Sequence, residues 1–351
     1  MALVLMVVAT AMVVVSYRRL STSSIWSILN VRVRTSTPDD IHIPIFTAQK
    51  QNWSKYLKIR KALEGVFSPK IRIVRATTPA GNLKRCLKDV ARKKECSAIT
   101  PIRHYSTCAL VGNSGILLNS SCGDEIDSHD FVIRFNLGPI QDYSTDVGRN
   151  VNMTVVNYVI VRKLFPMFRK NKTSQLLNLL RPFNNSVLLL AKVDAYSKKF
   201  LKERKTMEKL MRERNLNMTI VLSNLNGTGW HWSRLLLSLD ASSTSRLWSG
   251  LGGELKPFPT TGLLLLGEAI TFCDHVKMFG FYPFNKDHQN RTIPYHYWRD
   301  FIAVPSKTPH KFVAEYKLLG ALINDGIMNH TVDCNVIEWT TEQTRTNITL
   351  K

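Results

Sequence analysis

The chain has 351 residues, 44% of them hydrophobic, enough for one large folded domain with an appendage and ample for a core. Its formal net charge of +22 would suit nucleic acid, anionic glycan or membrane headgroups equally. No zinc-ligand spacing, helix-turn-helix pattern or aromatic ribonucleoprotein motif accompanies that charge, so nucleic acid is the first of the three to be set aside.

Residues 1–17 carry no charged side chain and are followed by Arg18 and Arg19. At a rise of 1.5 Å per residue a helix of that length spans roughly 25 Å, near the lower limit for a membrane crossing. A cleaved signal peptide is the competing reading. Residues 18–100 mix Ser, Thr and Pro with basic runs and read as a stem that leads, partly helical, into the domain. Cys86 and Cys96 fall in it, and the sequence leaves open whether they close a small loop, pair between subunits or stay free. Asn-X-Ser/Thr sequons begin at Asn52, Asn119, Asn152, Asn171, Asn184, Asn217, Asn226, Asn290, Asn329 and Asn347, a density that points to the secretory route. Asn152 is the one expected within a buried strand.

Residues 101–351 read as the catalytic domain. Two short β-rich runs, 108–111 and 131–135, each end in small or polar residues. In an open α/β sheet a ligand lies beyond the carboxyl ends of the strands. There Gly112 and Gly115 would admit a phosphate to the main chain, and Asn113 and Asn136 would hydrogen-bond a ligand. Residues 157–185 are partly helical by pattern, and 187–191 suit a buried strand. Residues 198–214 place Phe200, Leu201, Met207, Leu210 and Met211 at helical spacing among Lys and Arg, an amphipathic helix whose cationic face is either simply solvated or a track for an acidic acceptor. Thr260 or Thr261 can cap a helix running to about Cys273, with Gly262, Leu265, Leu266 and Ala269 on one face, and a strand follows at 276–281. Thr308 and Pro309 predict another helix start, which would put His310 in its first turn; Phe312, Tyr316, Leu319 and Ile323 form its buried stripe.

The run C-A-L-V-G-N-S-G-I-L from Cys108, followed by C-G-D-E-I-D-S-H-D-F-V-I-R-F-N, resembles the large sialyl motif of animal sialyltransferases, glycosyltransferase family 29, and its α2,8 branch in particular. P-T-T-G-L from Pro259 with G-F-Y-P-F from Gly280 resembles the small motif. Y-H-Y-W-R-D from Tyr295 resembles the third, and His310 with Glu315 the fourth. The chain departs from the family at Phe135 (usually Cys), Gly138 (usually Ala or similar), Thr260 (Ser), Tyr282 (Trp), Trp298 and Arg299.

The resemblance implies a Rossmann-like α/β sandwich of the GT-A type, with a mainly parallel sheet and helices on both faces. It implies disulfides joining Cys108 to Cys273 and Cys122 to Cys334. It also implies inverting transfer of sialic acid from CMP-sialic acid to a sialylated glycoprotein or glycolipid, by an enzyme held in the Golgi membrane as a single-pass type II protein with its catalytic domain lumenal. The basic pair after residue 17 lies on the opposite side from the one the positive-inside rule favours for that orientation. By the same resemblance His310 is the general base and His296 stabilises the departing phosphate. Asn113, Ser114, Asn136, Thr260, Thr261 and Gly262 contact the sugar nucleotide, Tyr282 and Tyr295 wall it, and Glu315 orients the fourth motif. No metal is expected: CMP leaves as a phosphomonoester, and the chain has no D-x-D sequence. The alternatives are an α2,3 or α2,6 linkage, or a catalytically weak protein that binds anionic glycans.

Overall fold

The computed structural model describes residues 46–75, 100–169, 173–191, 198–223, 259–298 and 310–335. The apolar segment 1–17, most of the expected stem, Cys86 and Cys96, and Thr308 and Pro309 lie outside the described residues.

Helix α1 (Trp53–Phe67) is capped by Asn52, whose side chain accepts the Lys55 N–H at 3.1 Å. Tyr56, Ile59, Leu63 and Phe67 recur three or four residues apart and are all buried. Burying such side chains is worth about 1.5–3 kcal/mol each, so α1 belongs to the core. The folded unit therefore begins well before residue 100, inside the segment expected to be stem. A short helix, α2 (Pro69–Arg72), and strand β1 (Ile73–Arg75) complete this entry.

Strands β2 (Tyr105–Val111), β3 (Phe131–Phe135), β4 (Met153–Val156), β5 (Val187–Leu190), β6 (Thr219–Ser223), β7 (Cys273–Phe279) and β8 (Asn329–Thr331) run parallel to one another, and β1 lies antiparallel to β6. The sheet order is β1-β6-β5-β4-β3-β2-β7-β8. The chain builds outward from β2 through β6, then returns to pair β7 on the other side of β2. That reversal makes β2/β7 the switch point, where a sheet of this kind leaves a crevice at its carboxyl edge.

Alternate strand residues enter different clusters. Cys108, Leu110, Ile133, Val155, Leu189 and Val221 face one layer with α1, α8 (Thr261–Phe272) and α9 (Phe312–Asn324). Leu188, Leu190, Ile220 and Leu222 face α5 (Tyr158–Arg169), α6 (Thr173–Leu180) and α7 (Lys198–Glu213). Ala109, Val111 and Val132 face α3 (Gly123–Asp127) and α4 (Ser144–Val147) on that same side. Helices thus cover both faces, and fully buried parallel strands read as unbroken apolar runs. On α7, Met207 and Met211 are buried while Lys202, Lys205 and Lys209 are exposed.

Both expected disulfides are present, Cys108–Cys273 and Cys122–Cys334. The expected strand at 276–281 instead begins at Cys273 and ends at Phe279, so the helix before it stops one residue short of the disulfide.

Candidate active site

Strands β2, β3 and β7 end side by side, Val111 opposite Arg134 and Phe279, so the segments that follow them share one edge. Two hydrogen bonds stitch the β2 and β7 ends together, Gly112 N–H to Phe279 O at 2.7 Å and Ser114 N–H to Gly280 O at 3.2 Å. Gly280 turns with φ 67°, and a Cβ on Gly112 would sit 2.7 Å from the Gly280 oxygen, so neither position tolerates a larger residue. Asn113 reaches the other way and donates from Nδ2 to Phe135 O at 3.1 Å.

After β3, Asn136 and Leu137 both lie in the left-handed region, at φ 58° and 60°. That conformation is routine for Asn and costs Leu about 1–2 kcal/mol. It is held because Leu137 is buried and Asn136 is tied on two sides: its N–H donates to Val155 O at 2.8 Å, and its Oδ1 accepts the Asn157 N–H at 3.1 Å.

His296 is brought to this edge by its own backbone. It forms an antiparallel bridge with Ser114, and the next residue, Tyr297, donates its N–H to Asn113 O at 3.0 Å. The Tyr295 ring lies 4.4 Å from the imidazole at 39°, and the Trp298 indole stacks on it at 4.4 Å and 8°. The Tyr297 hydroxyl donates to Pro139 O at 2.8 Å, and burial pushes that phenol well above the usual tyrosine range.

The remaining two motifs meet through one carboxylate. Thr260 caps α8, its hydroxyl accepting the Leu263 N–H at 3.2 Å and its carbonyl the Leu264 N–H. Among the described residues this leaves the Thr261 and Gly262 N–H groups at the positive end of the helix dipole. Glu315 of α9, itself buried, accepts both the Thr260 N–H at 2.8 Å and the Thr260 hydroxyl at 2.5 Å. The amino ends of α8 and α9 are thereby joined, which gives Glu315 a different task from His310. A Cβ on Gly262 would meet the Phe281 ring at 2.3 Å, and Phe281 packs edge-on against Phe135 at 5.5 Å, so the cap is seated on the β3 and β7 ends.

One expectation is corrected. His310 is not in the first turn of its helix: α9 starts at Phe312 with Lys311 as its N-cap, so His310 sits just ahead of the helix, its ring 5.8 Å from Phe312. The place of Tyr282, expected as a wall of the site, is set by its own contacts. It is buried among Phe284, His288 and Tyr316, and its hydroxyl donates to Lys286 O at 2.8 Å. Gly262 serves by seating the helix.

Sequence reasoning missed Tyr297, Phe281 and Arg134. Arg134 is buried in β3; its Nε donates to Asn150 O at 2.9 Å, and burial lowers its guanidinium to about 10, with Tyr297 and Asp127 acting in the opposite sense. All three lie inside the motif runs, Arg134 in F-V-I-R-F-N, Phe281 in G-F-Y-P-F and Tyr297 in Y-H-Y-W-R-D, but nothing in those runs singles them out. Among the described residues no three His, Cys, Asp or Glu side chains are grouped to hold a metal ion.

The profile of glycosyltransferase family 29 (sialyltransferase) matches residues 46–327. The chain is 30% identical over 241 residues to an alpha-N-acetylneuraminide alpha-2,8-sialyltransferase of Xenopus laevis, a match covering 67% of this chain and 60% of that protein. It is 29% identical over 232 residues to the protein of the same name in Xenopus tropicalis, covering 64% of this chain and again 60% of the relative. The match thus spans less than two thirds of the length of these relatives. Among solved structures, the crystal structure of a mammalian sialyltransferase aligns with a TM-score of 0.39 at 18% identity, over 81% of this chain and 80% of that one.

Proposed function

The chain belongs to glycosyltransferase family 29, the sialyltransferases, and from that premise we propose that it moves sialic acid from CMP-sialic acid to a sialylated glycoprotein or glycolipid, forming an α2,8 linkage. One observation carries the reading. Segments separated by as much as two hundred residues converge on the carboxyl edge of β2, β3 and β7, with His296 bridged to Ser114 and Glu315 clasping the cap of α8. The α2,8 linkage is supported by the names of the two frog relatives.

In this reading the uncommitted N–H groups of Thr261 and Gly262 receive the CMP phosphate at the helix terminus. Asn113, Ser114 and Asn136 hold the nucleotide. His310 takes the proton from the acceptor hydroxyl as its oxygen attacks the anomeric carbon. The bond from that carbon to the phosphate oxygen breaks on the opposite side, so the configuration inverts. The electron pair stays on CMP, where His296 meets the growing negative charge. Because the leaving group is a monoester and the chain has no D-x-D sequence, transfer proceeds without a divalent ion.

Residues 1–17 anchor the protein in the Golgi membrane with the following residues lumenal. The two disulfides and the many sequons support that compartment. Protease protection in sealed vesicles, with cleavage only after permeabilisation, is the outcome expected for this orientation; cleavage in intact vesicles reverses it.

The activity is tested by incubating the full chain with CMP-sialic acid and α2,3-sialylated, disialylated and asialo acceptors, with and without a chelator, and analysing product linkage. Transfer confined to sialylated acceptors, insensitive to chelation, is expected. Transfer to asialo acceptors would move the protein to an α2,3 or α2,6 linkage, and CMP binding without transfer would make it a glycan-binding protein.

A further inference from the structure

We propose that Trp298 is a positioning residue for His296, and that the absent side chain at Gly138 is what allows it to be one. The inference rests on the functional reading above and adds a named device to it. The Trp298 indole lies face to face with the His296 imidazole, 4.4 Å between centroids and 8° from parallel. A ring covered in this way cannot rotate about its last torsion, which for histidine is otherwise a broad, roughly two-fold well. Its nitrogens lie in the ring plane, whose tilt the stack fixes. The backbone bridge to Ser114 places the residue, and the stack sets the direction in which its nitrogens point.

The stack has its own support. Tyr297 meets Trp298 edge-on at 4.8 Å and 75°, and Tyr297 is itself fixed by its hydrogen bonds to Pro139 O and Asn113 O. Gly138 lies directly against both rings. A Cβ there would stand 2.6 Å from the Tyr297 Oη, 3.1 Å from the Trp298 Cζ3 and 3.1 Å from the Asn113 Oδ1. The phenol is buried and hydrogen-bonded, so it cannot yield cheaply, and the indole has to shift by a few tenths of an ångström against the imidazole. Positions 138 and 298 lie far apart in sequence and are neighbours here. A small residue at one and a large flat one at the other form a single arrangement.

The consequence for the reaction is specific. A histidine that meets charge growing on the leaving phosphate contributes more to the transition state than to the bound donor. Loss of its orientation therefore lowers kcat and leaves KM for CMP-sialic acid nearly unchanged. A merely structural tryptophan would instead lower stability without that split.

The test has two arms on the full chain. In the first, the imidazole resonances are observed by NMR with ring-labelled histidine, His296 being assigned from the peak missing in His296→Gln. The indole face shifts His296 upfield; Trp298→Leu removes the shift, and Trp298→Phe keeps part of it. An unmoved resonance in Trp298→Leu overturns the stack, and this arm needs no activity. In the second, Trp298→Leu loses about thirtyfold in kcat with KM for the donor within about twofold, and Trp298→Phe recovers most of the loss. Equal loss in both variants, or a loss confined to KM, overturns the positioning role. Gly138→Ala, whose methyl presses on the Tyr297 hydroxyl and the indole together, reduces kcat by about tenfold and moves the His296 resonance in the direction seen for Trp298→Leu. An unmoved His296 resonance in Gly138→Ala overturns the link to Gly138. If the unaltered chain transfers no sialic acid, the functional reading fails, and the NMR arm still decides whether Trp298 holds His296.

Discussion

The two halves of the sheet are held by different means. On the β4, β5, β6 side, Leu164, Leu176, Leu180, Phe183, Met207 and Met211 pack against apolar strand residues, and among the described residues no disulfide lies there. On the β3, β2, β7, β8 side both disulfides close, two consecutive residues stand in the left-handed region, and buried polar groups bind one another across long stretches of chain. Apolar packing tolerates small shifts, because a slightly moved leucine still contacts its neighbours. A hydrogen-bonded crevice does not, since a carboxylate displaced by an ångström leaves its donors unpaired. The cross-links and the long-range polar contacts are thus concentrated at the β3, β2, β7 side.

The largest break in this contrast comes from the disulfides. Replacing Cys108 and Cys273 with Ala opens a loop of 165 residues, for which chain entropy predicts a loss of about 5 kcal/mol. Thermal melting should show that loss, or the protein should fail to fold. Next comes Glu315→Ala, which strips the Thr260 N–H and hydroxyl of their acceptor and is expected to cost about 4 kcal/mol, with activity falling more steeply than stability. Glu315→Gln keeps one acceptor oxygen and should recover part of both.

His330 sharpens the contrast through pH. It is buried on β8, and burial, aided by Lys277 and His288, lowers its imidazole to about 4, with a backbone hydrogen bond to Phe281 acting in the other direction. The native state keeps this ring neutral where the unfolded chain takes up a proton. Stability is therefore full above the ordinary histidine value of about 6.5 and drains away as the pH falls from there to about 4, by roughly 3 kcal/mol. Urea midpoints at pH 7.5 and 4.5 should differ accordingly, and His330→Leu should flatten the difference. The smallest effect belongs to the other half: changing Lys202, Lys205 and Lys209 on α7 to Gln should alter stability by less than about 0.5 kcal/mol and leave KM for CMP-sialic acid unchanged. A raised KM for sialylated acceptors alone would extend the acceptor site onto that helix.

Sequence reading located the strands at 108–111 and 131–135 because both are short apolar runs bounded by turn residues, and it found the cap at Thr260. It placed β7 too late because the strand opens with Asp274 and His275, half-buried and exposed, which obscure its period. It took residues 18–100 as a stem that leads, partly helical, into the domain, and it did not single out α1 because Lys55, Lys58, Arg60 and Lys61 are interspersed with the buried Tyr56, Ile59 and Leu63. The clasp of Glu315 on Thr260 links residues 55 apart, and the contact of Gly138 with Trp298 also depends wholly on the tertiary fold. No local pattern carries such contacts. Asn152 shows the same limit from the other side. Its Oδ1 accepts the Val132 N–H at 2.7 Å, so this sequon is predicted to stay unmodified when the others are mapped by mass spectrometry.

The most direct measurement is amide hydrogen exchange of the full chain with and without CMP. Protection is predicted in peptides covering residues 112–116, 136–138, 260–264 and 294–298, with α7 and β6 unchanged. Protection centred on α7 and β6, with these four segments unaffected, would contradict the assignment of the nucleotide to the β2, β3 and β7 edge.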